Sequence, residues 1–299
     1  MTEQSPQAQA VPDRLYQLAA FATLLMLFLY SGYCLQALPV VAPSVLLEWN
    51  IPASSLAVPL ALVSIGTALG SVCGGFLADA KGRKFPIVGF AALQGLAMFL
   101  SGFATGPTGL YALMFASGLG MGGYFSSGMA LLTELADDRR RGLMISLAIL
   151  FAPIGLSLCS LLAGHIAPLY GGSRVFFMGG LLSIPLLLAL LFLVPESPTY
   201  LARFPYRAEA HRKVVARLGL APSDEQPAAE EKGKGGLSLV GTLLRERLAA
   251  SLGLWLLFFV MYVLGSIVLS WTPVVFSSVG FDVGFASRTL FFWPIGILV

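Results

Sequence analysis

Seven stretches of this chain are free of charged side chains and long enough to cross a bilayer: residues 15–41, 56–78, 86–103, 110–132, 143–167, 175–194 and 252–275. A helix needs about 20 apolar residues to span about 30 Å of hydrocarbon. Lipid cannot satisfy an open backbone N–H or C=O, so only helices and closed barrels remain. The two-residue alternation of barrel strands is missing, and the seven runs read as helices. Composition agrees, with 57% hydrophobic and 11% charged residues, where a soluble domain carries about 25% charged. A water-soluble globule is excluded. The first run is also too long for the apolar segment of a signal peptide, only Arg14 precedes it, and no small-residue cleavage site follows.

The charges orient the bundle. With the amino terminus placed in the cytoplasm, 16 of the 18 Lys and Arg residues fall on that side, and only Arg174 and Arg288 fall on the other. The positive-inside rule therefore predicts a multi-pass protein of the cell (inner) membrane with a cytoplasmic amino terminus. A net charge of +3 is too slight to argue for a nucleic-acid partner. The reading divides the chain into a cytoplasmic tail (1–14), a six-helix half (15–195), a cytoplasmic middle loop (196–247) and an incomplete second half (248–299). Within the loop, the five basic residues of 203–218 alternate with apolar ones, as in a short interfacial helix, while 221–236 has the composition of a disordered linker. The last run, 289–299, is only 11 residues long and lacks polar flanks, so a span is expected to continue past it. Cys34, Cys73 and Cys159 all lie in apolar runs and are expected to be small packing residues.

Between the second and third runs stands GFLADAKGRKFPI, residues 75–87. This resembles the signature loop of the major facilitator superfamily, with Ala80 in place of the usual basic residue. The loop has its own physics: Gly82 permits a tight reversal, and Asp79 can pair with the basic turn or face a neighbouring helix terminus. Gly75, Asp79, Gly82, Arg83 and Lys84 are accordingly taken as the conformational gating motif. PESPTYL at 195–201 is similar to a motif of sugar porters, organic-ion transporters and aromatic-acid/proton symporters, with Thr199 where Arg is usual. SGYCLQA at 31–37, GLGMGG at 118–123, RVFFMGG at 174–180, and WTP at 271–273 with Gly280 look most like the aromatic-acid/proton symporters. The resemblance implies an all-α integral membrane bundle of the major facilitator type: here a six-helix amino-terminal half plus about two helices of the second half.

The same resemblance implies a central cavity lined by the first and fourth helices of each half, here spans one, four and seven. Gln36 and Tyr33 in span one, Tyr124 and Ser127 in span four, and Tyr262 in span seven are the polar or aromatic groups at suitable depth, and are the candidate substrate-binding residues. Gln36 leads, because an amide in mid-membrane needs a partner and its donors could hold a carboxylate. Charges usual in the subfamily are missing at three positions: span one has Ser31 and Cys34 at the acidic positions, and Met114 stands at the expected arginine. Proton coupling needs a buried group whose pKa can move, and Glu134 and His165 are read as structural or interfacial. Gly66, Gly70 and Gly74, like Gly118 and Gly122, recur at four-residue spacing and predict close backbone packing.

The function expected is secondary transport of a small organic solute, an organic or aromatic acid anion, by alternating access. The alternatives are an uncoupled facilitator of sugar-like or other solutes and a non-transporting remnant. Small-molecule substrate and lipid are the expected partners, with protons left open, and no metal or cofactor is called for. Neither a nucleotide-binding loop nor a membrane acyltransferase pattern occurs, which argues against an enzyme.

Overall fold

The computed structural model describes residues 14–136, 138–204, 207–218 and 248–292. They form helices throughout: α1 (Arg14–Trp49), a 3-10 turn (Ala53–Leu56), α2 (Ala57–Lys81), α3 (Lys84–Ser101), α4 (Pro107–Leu135), α5 (Asp138–Tyr170), α6 (Ser173–Leu193), α7 (Pro198–Ala202), α8 (Ala208–Leu218), α9 (Leu248–Ser278) and α10 (Val283–Thr289). The linker composition noted at 221–236 and most of the terminal run at 289–299 fall outside the described residues. Breaks between helices follow turn chemistry. Gly106 precedes Pro107 at the first helical position of α4, and the Asp282 carboxylate caps α10 by accepting from the N–H groups of Gly284 and Phe285.

Among the described residues, six helices are long and apolar enough to cross a membrane. The fourth sequence run, at 110–132, lies in α4, which has the length (29 residues) but falls short of the others in apolarity. Glycines and serines dilute it, and the structure supplies the reason. α4 is wedged between α2 and α3, where it meets backbone rather than lipid.

The glycine repeats set this packing. α2 and α4 run parallel in intimate contact, with Gly66, Gly70 and Gly74 stepping along Phe115, Leu119 and Gly123. A Cβ added at Gly74 would lie 2.7 Å from the Gly123 Cα, and one at Gly122 would lie 2.8 Å from the Ser71 nitrogen. α1 and α5 form a second parallel pair, in which Gly32 meets the Ala152 carbonyl and Gly155 meets that of Leu29. α3 and α6 run antiparallel, Gly180 against Phe99 and Gly102 against Phe177. Small residues at such contacts gain dispersion and Cα–H···O contacts where lipid offers no hydrophobic drive. Two apolar clusters fill the bundle, one around Tyr33, Met98, Met114 and Phe176, the other around Phe28, Ile87, Tyr124 and Leu190. Cys34 and Cys159 are buried as packing residues, whereas Cys73 is exposed on α2; all three are free thiols.

α8 is the short helix expected within 203–218. Its Val214 and Tyr16 of α1 pack against the same apolar cluster, and the Arg217 guanidinium lies 3.7 Å from the Tyr16 ring centroid. Glu209 pairs with Lys213 one turn on, at 2.7 Å. That hydrogen bond and the lysine charge hold the Glu209 carboxyl below its ordinary value. The pair therefore supports α8 above the ordinary carboxylate range, and the support fades as pH falls through it.

Candidate functional site

At one end of the bundle three sequence-distant segments converge on the turn between α2 and α3. Gly82 closes α2 with φ +93°, a conformation that disfavours any Cβ. The turn aims the backbone N–H groups of Arg83 and Lys84 at Glu196 Oε1, at 2.7 and 3.1 Å, and the Ser197 N–H joins them at 2.9 Å. An anionic acceptor at a helix start satisfies otherwise open donors and complements the helix dipole. The carboxylate also packs on Gly82, where a Cβ would meet it at 2.7 Å.

Arg83 completes the cluster. Its Nε lies 2.6 Å from Glu134 Oε1 at the end of α4, and Ser197 Oγ donates to the other Glu134 oxygen. Ser197 Oγ in turn accepts from the Tyr200 N–H and so caps α7. The Lys84 ammonium donates to the Leu191 carbonyl of α6 at 2.7 Å. Asp79, expected to pair with the basic turn or face a helix terminus, is exposed and makes no ion pair among the described residues. Glu134 and Glu196 hold the basic turn instead, because they lie on the elements that pack against it. Glu196 stood in the sequence inside the PESP motif, which gives no sign of its target. Gly75 has open space within 4 Å of an added Cβ and takes no part in the cluster.

Toward the opposite end lies a cavity of about 560 Å³, walled by α1, α2, α4, α5 and α9. Cys34, Ser64, Met114, Tyr262, Ser266 and Trp271 are among its lining. Of the five residues expected to contact a substrate, Tyr262 lines it. Tyr33 is buried and donates to the Val175 carbonyl at 2.9 Å, tying α1 to α6. The Tyr124 hydroxyl donates to Gln94 Oε1 of α3 at 2.5 Å, and Ser127 Oγ donates to the Gly74 and Gly123 carbonyls at 3.3 and 3.1 Å. Of the three positions where subfamily charges are missing, Cys34 and Met114 map to the cavity wall, whereas Ser31 is buried and its hydroxyl donates to the Phe28 carbonyl at 2.6 Å. Ser64 and Ser266 were not singled out from sequence, and Trp271 stood there only as part of the WTP motif, since nothing in an apolar run marks which face of a helix turns to a cavity. His165 Nδ1 lies 2.8 Å from the Leu161 carbonyl, one turn back on its own helix.

Gln36 is wholly buried, and neither amide atom has a hydrogen-bond partner among the described residues. An orphaned buried amide costs about 1–3 kcal/mol. Gln36→Leu, close in volume and apolar, is expected to raise the thermal midpoint of the detergent-solubilised protein. A fall would show instead that the amide is bonded in the folded bundle.

Comparison with known proteins decides the family. The sequence profile of the Major Facilitator Superfamily matches residues 19–299. The chain belongs to that superfamily. Relatives include the 4-hydroxybenzoate transporter PcaK of Pseudomonas aeruginosa, 29% identical over 91% of this chain and 61% of the relative. The gallate transporter of Pseudomonas putida is 25% identical over 95% of this chain and 64% of its own length. Among solved structures, the xylose transporter XylE of E. coli in a partially occluded inward-open conformation superposes with a TM-score of 0.72 at 19% identity, covering 94% of this chain and 70% of that one. At that identity the match shows the fold alone. The chain thus spans about three fifths of the length of these curated relatives. Membership makes this superfamily protein a multi-pass membrane protein of a transporter family and sets the enzyme reading aside.

Proposed function

We propose that the chain serves secondary transport of a small aromatic solute across the inner membrane by alternating access, with its basic end and amino terminus in the cytoplasm. The observation that carries the reading is the cavity at the seam between the six-helix half and α9, with Tyr262 and Trp271 on one wall. Rings of this kind stack on aromatic cargo. The names of the relatives, transporters of 4-hydroxybenzoate and gallate, support the same solute class. Tyr262 is the residue proposed to contact cargo directly. Gln36 is retained because its amide lacks a partner, while Tyr33, Tyr124 and Ser127 would act by fixing the helices that shape the cavity. Gly82, Arg83 and Lys84 would gate by making or releasing the cluster around Glu134 and Glu196, with Gly75 and Asp79 retained as members of the same motif.

The complete protein, reconstituted in proteoliposomes, is expected to take up at least one aromatic solute saturably and to leave sugars behind. Absence of substrate-dependent flux across both panels would defeat the proposal. A second reading, facilitated diffusion without protons, is favoured by one observation: among the described residues no carboxylate or histidine lines the cavity. Uptake is then expected to be equal with and without a pH gradient, and strong gradient dependence would restore the symport reading. The topology is tested separately. Single cysteines introduced at Lys84 and Arg140 should be labelled from the same side of the membrane by an impermeant maleimide.

A further inference from the structure

A second recess, of about 450 Å³, lies between α1, α5 and α6. Ala19, Ala22 and Met26 of α1, Leu158 of α5, and Pro185 and Ala189 of α6 are among its lining, and among the described residues none from α9 or α10 is. Met26, Leu158 and Leu182 on its wall are exposed, so the recess opens outward from the bundle, where a spanning helix meets lipid. Its polar atoms are turned elsewhere. Thr23 Oγ1 donates to the Ala19 carbonyl at 2.7 Å and the Tyr33 hydroxyl to the Val175 carbonyl at 2.9 Å. The Tyr30 hydroxyl lies toward α3, where a Cβ added at Gly95 would sit 3.7 Å from it. What the recess offers an occupant is hydrocarbon. A polar solute would give up its water there without compensation, whereas an acyl chain gives up none.

The dimensions suit one leaflet. Positions 19, 23, 26, 30 and 33 of α1 line the recess at alternating four- and three-residue spacing, one face of a helix. From Ala19 to Tyr33 that stripe is about 21 Å long, against about 15 Å for half of a hydrocarbon core and one further turn at headgroup level. Alanine at 19, 22 and 189 keeps the groove clear along its length. Its mouth is basic. Tyr16 continues the same face one turn before Ala19, and the Arg217 guanidinium stands 3.7 Å from that ring centroid, which sets a cation from α8 at the end of the groove. Arg14, in the first turn of α1, is exposed at the same end. Lys213 is shared with Glu209, so Arg14 and Arg217 are the cations placed to meet a headgroup phosphate.

We infer that this recess is a site for an anionic phospholipid: one acyl chain of the leaflet at the basic end lies along α1 between α5 and α6, and its headgroup meets Arg14 and Arg217. An acyl chain passes from bilayer into a groove of like polarity and gains packing without hydrophobic drive. Choice between lipids therefore falls to headgroup charge, at about fivefold per cation near the surface. The test titrates the whole chain, stripped of lipid in detergent, with phosphatidylglycerol or with phosphatidylcholine of the same acyl chains, and counts bound lipid by native mass spectrometry. One phosphatidylglycerol should be retained per chain, at least tenfold more tightly than phosphatidylcholine. Arg14→Gln and Arg217→Gln should each cut that preference by about fivefold, and on the unaltered chain it should shrink as ammonium acetate rises from about 50 to about 500 mM. Ala22→Phe, which sets a ring in the groove from an exposed position, should weaken retention of both lipids at least fivefold. Where that variant does not fold, phosphatidylglycerol with six-carbon chains, too short to fill the groove, should bind the unaltered chain at least tenfold more weakly than the long-chain lipid. Equal affinity for the two headgroups would overturn the basic mouth, and undiminished binding to Ala22→Phe or of the short-chain lipid would overturn the groove. Either result defeats the site and leaves the transport reading untouched.

Discussion

Gly70→Leu will yield no monodisperse protein in detergent, by size-exclusion chromatography, at a growth temperature where the parent is recovered intact. The β-carbon alone would lie 2.8 Å from the Leu119 carbonyl carbon and 3.0 Å from the Gly123 nitrogen. Both are backbone atoms of α4, so no side chain can swing aside, and the helices must separate along their length. Overpacking in cores with room to adjust costs about 1–3 kcal/mol; here the obstacle is main chain on both sides, and the cost exceeds that range. Gly75→Ala is the matched control. Five residues along the same helix, an added Cβ there meets nothing within 4 Å, and the exchange should stabilise α2 by up to about 1 kcal/mol through helix propensity.

Glu196→Ala will lower the melting temperature by roughly 5–10 °C, as read by tryptophan fluorescence or a thiol-reactive dye. Three backbone donors lose their acceptor at once, and the two cations of the turn lose a neighbouring carboxylate. Glu196→Gln keeps a carbonyl oxygen for the N–H groups but drops the charge, and should forfeit about half as much. Equal losses in the two variants would mean that charge, and not the hydrogen bonds, governs this corner. In transport assays both variants should move the rate more than the affinity, since the cluster lies away from the cavity residues.

The helices were legible because lipid imposes one requirement on every turn, and a run of twenty apolar residues meets it whatever the partner. Close packing at Gly66, Gly70, Gly74, Gly118 and Gly122 was legible for a related reason: glycine at four-residue spacing clears one stripe of a helix. Depth within a span could be counted along the sequence, but azimuth could not. Tyr33, Tyr124 and Ser127 stand at suitable depth, yet their hydroxyls engage Val175, Gln94 and Gly74, whose positions depend on how three other helices are rotated. Cavity residues such as Ser64 and Ser266 were hidden by the same ambiguity. The basic turn was recognisable, but its counter-ions were assigned to the adjacent Asp79. Contact across more than a hundred residues of chain, as between Arg83 and Glu196, follows from helix order around the bundle and leaves no local trace.

The parallel pairs α1/α5 and α2/α4 approach through main chain at their glycines. Contacts made backbone to backbone at those points have no alternative rotamer to switch into, whereas large-scale rearrangements draw on interfaces that possess two arrangements. Each pair therefore behaves as a rigid strut. When the protein changes shape, the flexing falls to joints faced with long side chains, such as the Phe99, Phe103 and Phe177 contact where α3 meets α6, and those are the places where temperature and lipid composition will set its tempo.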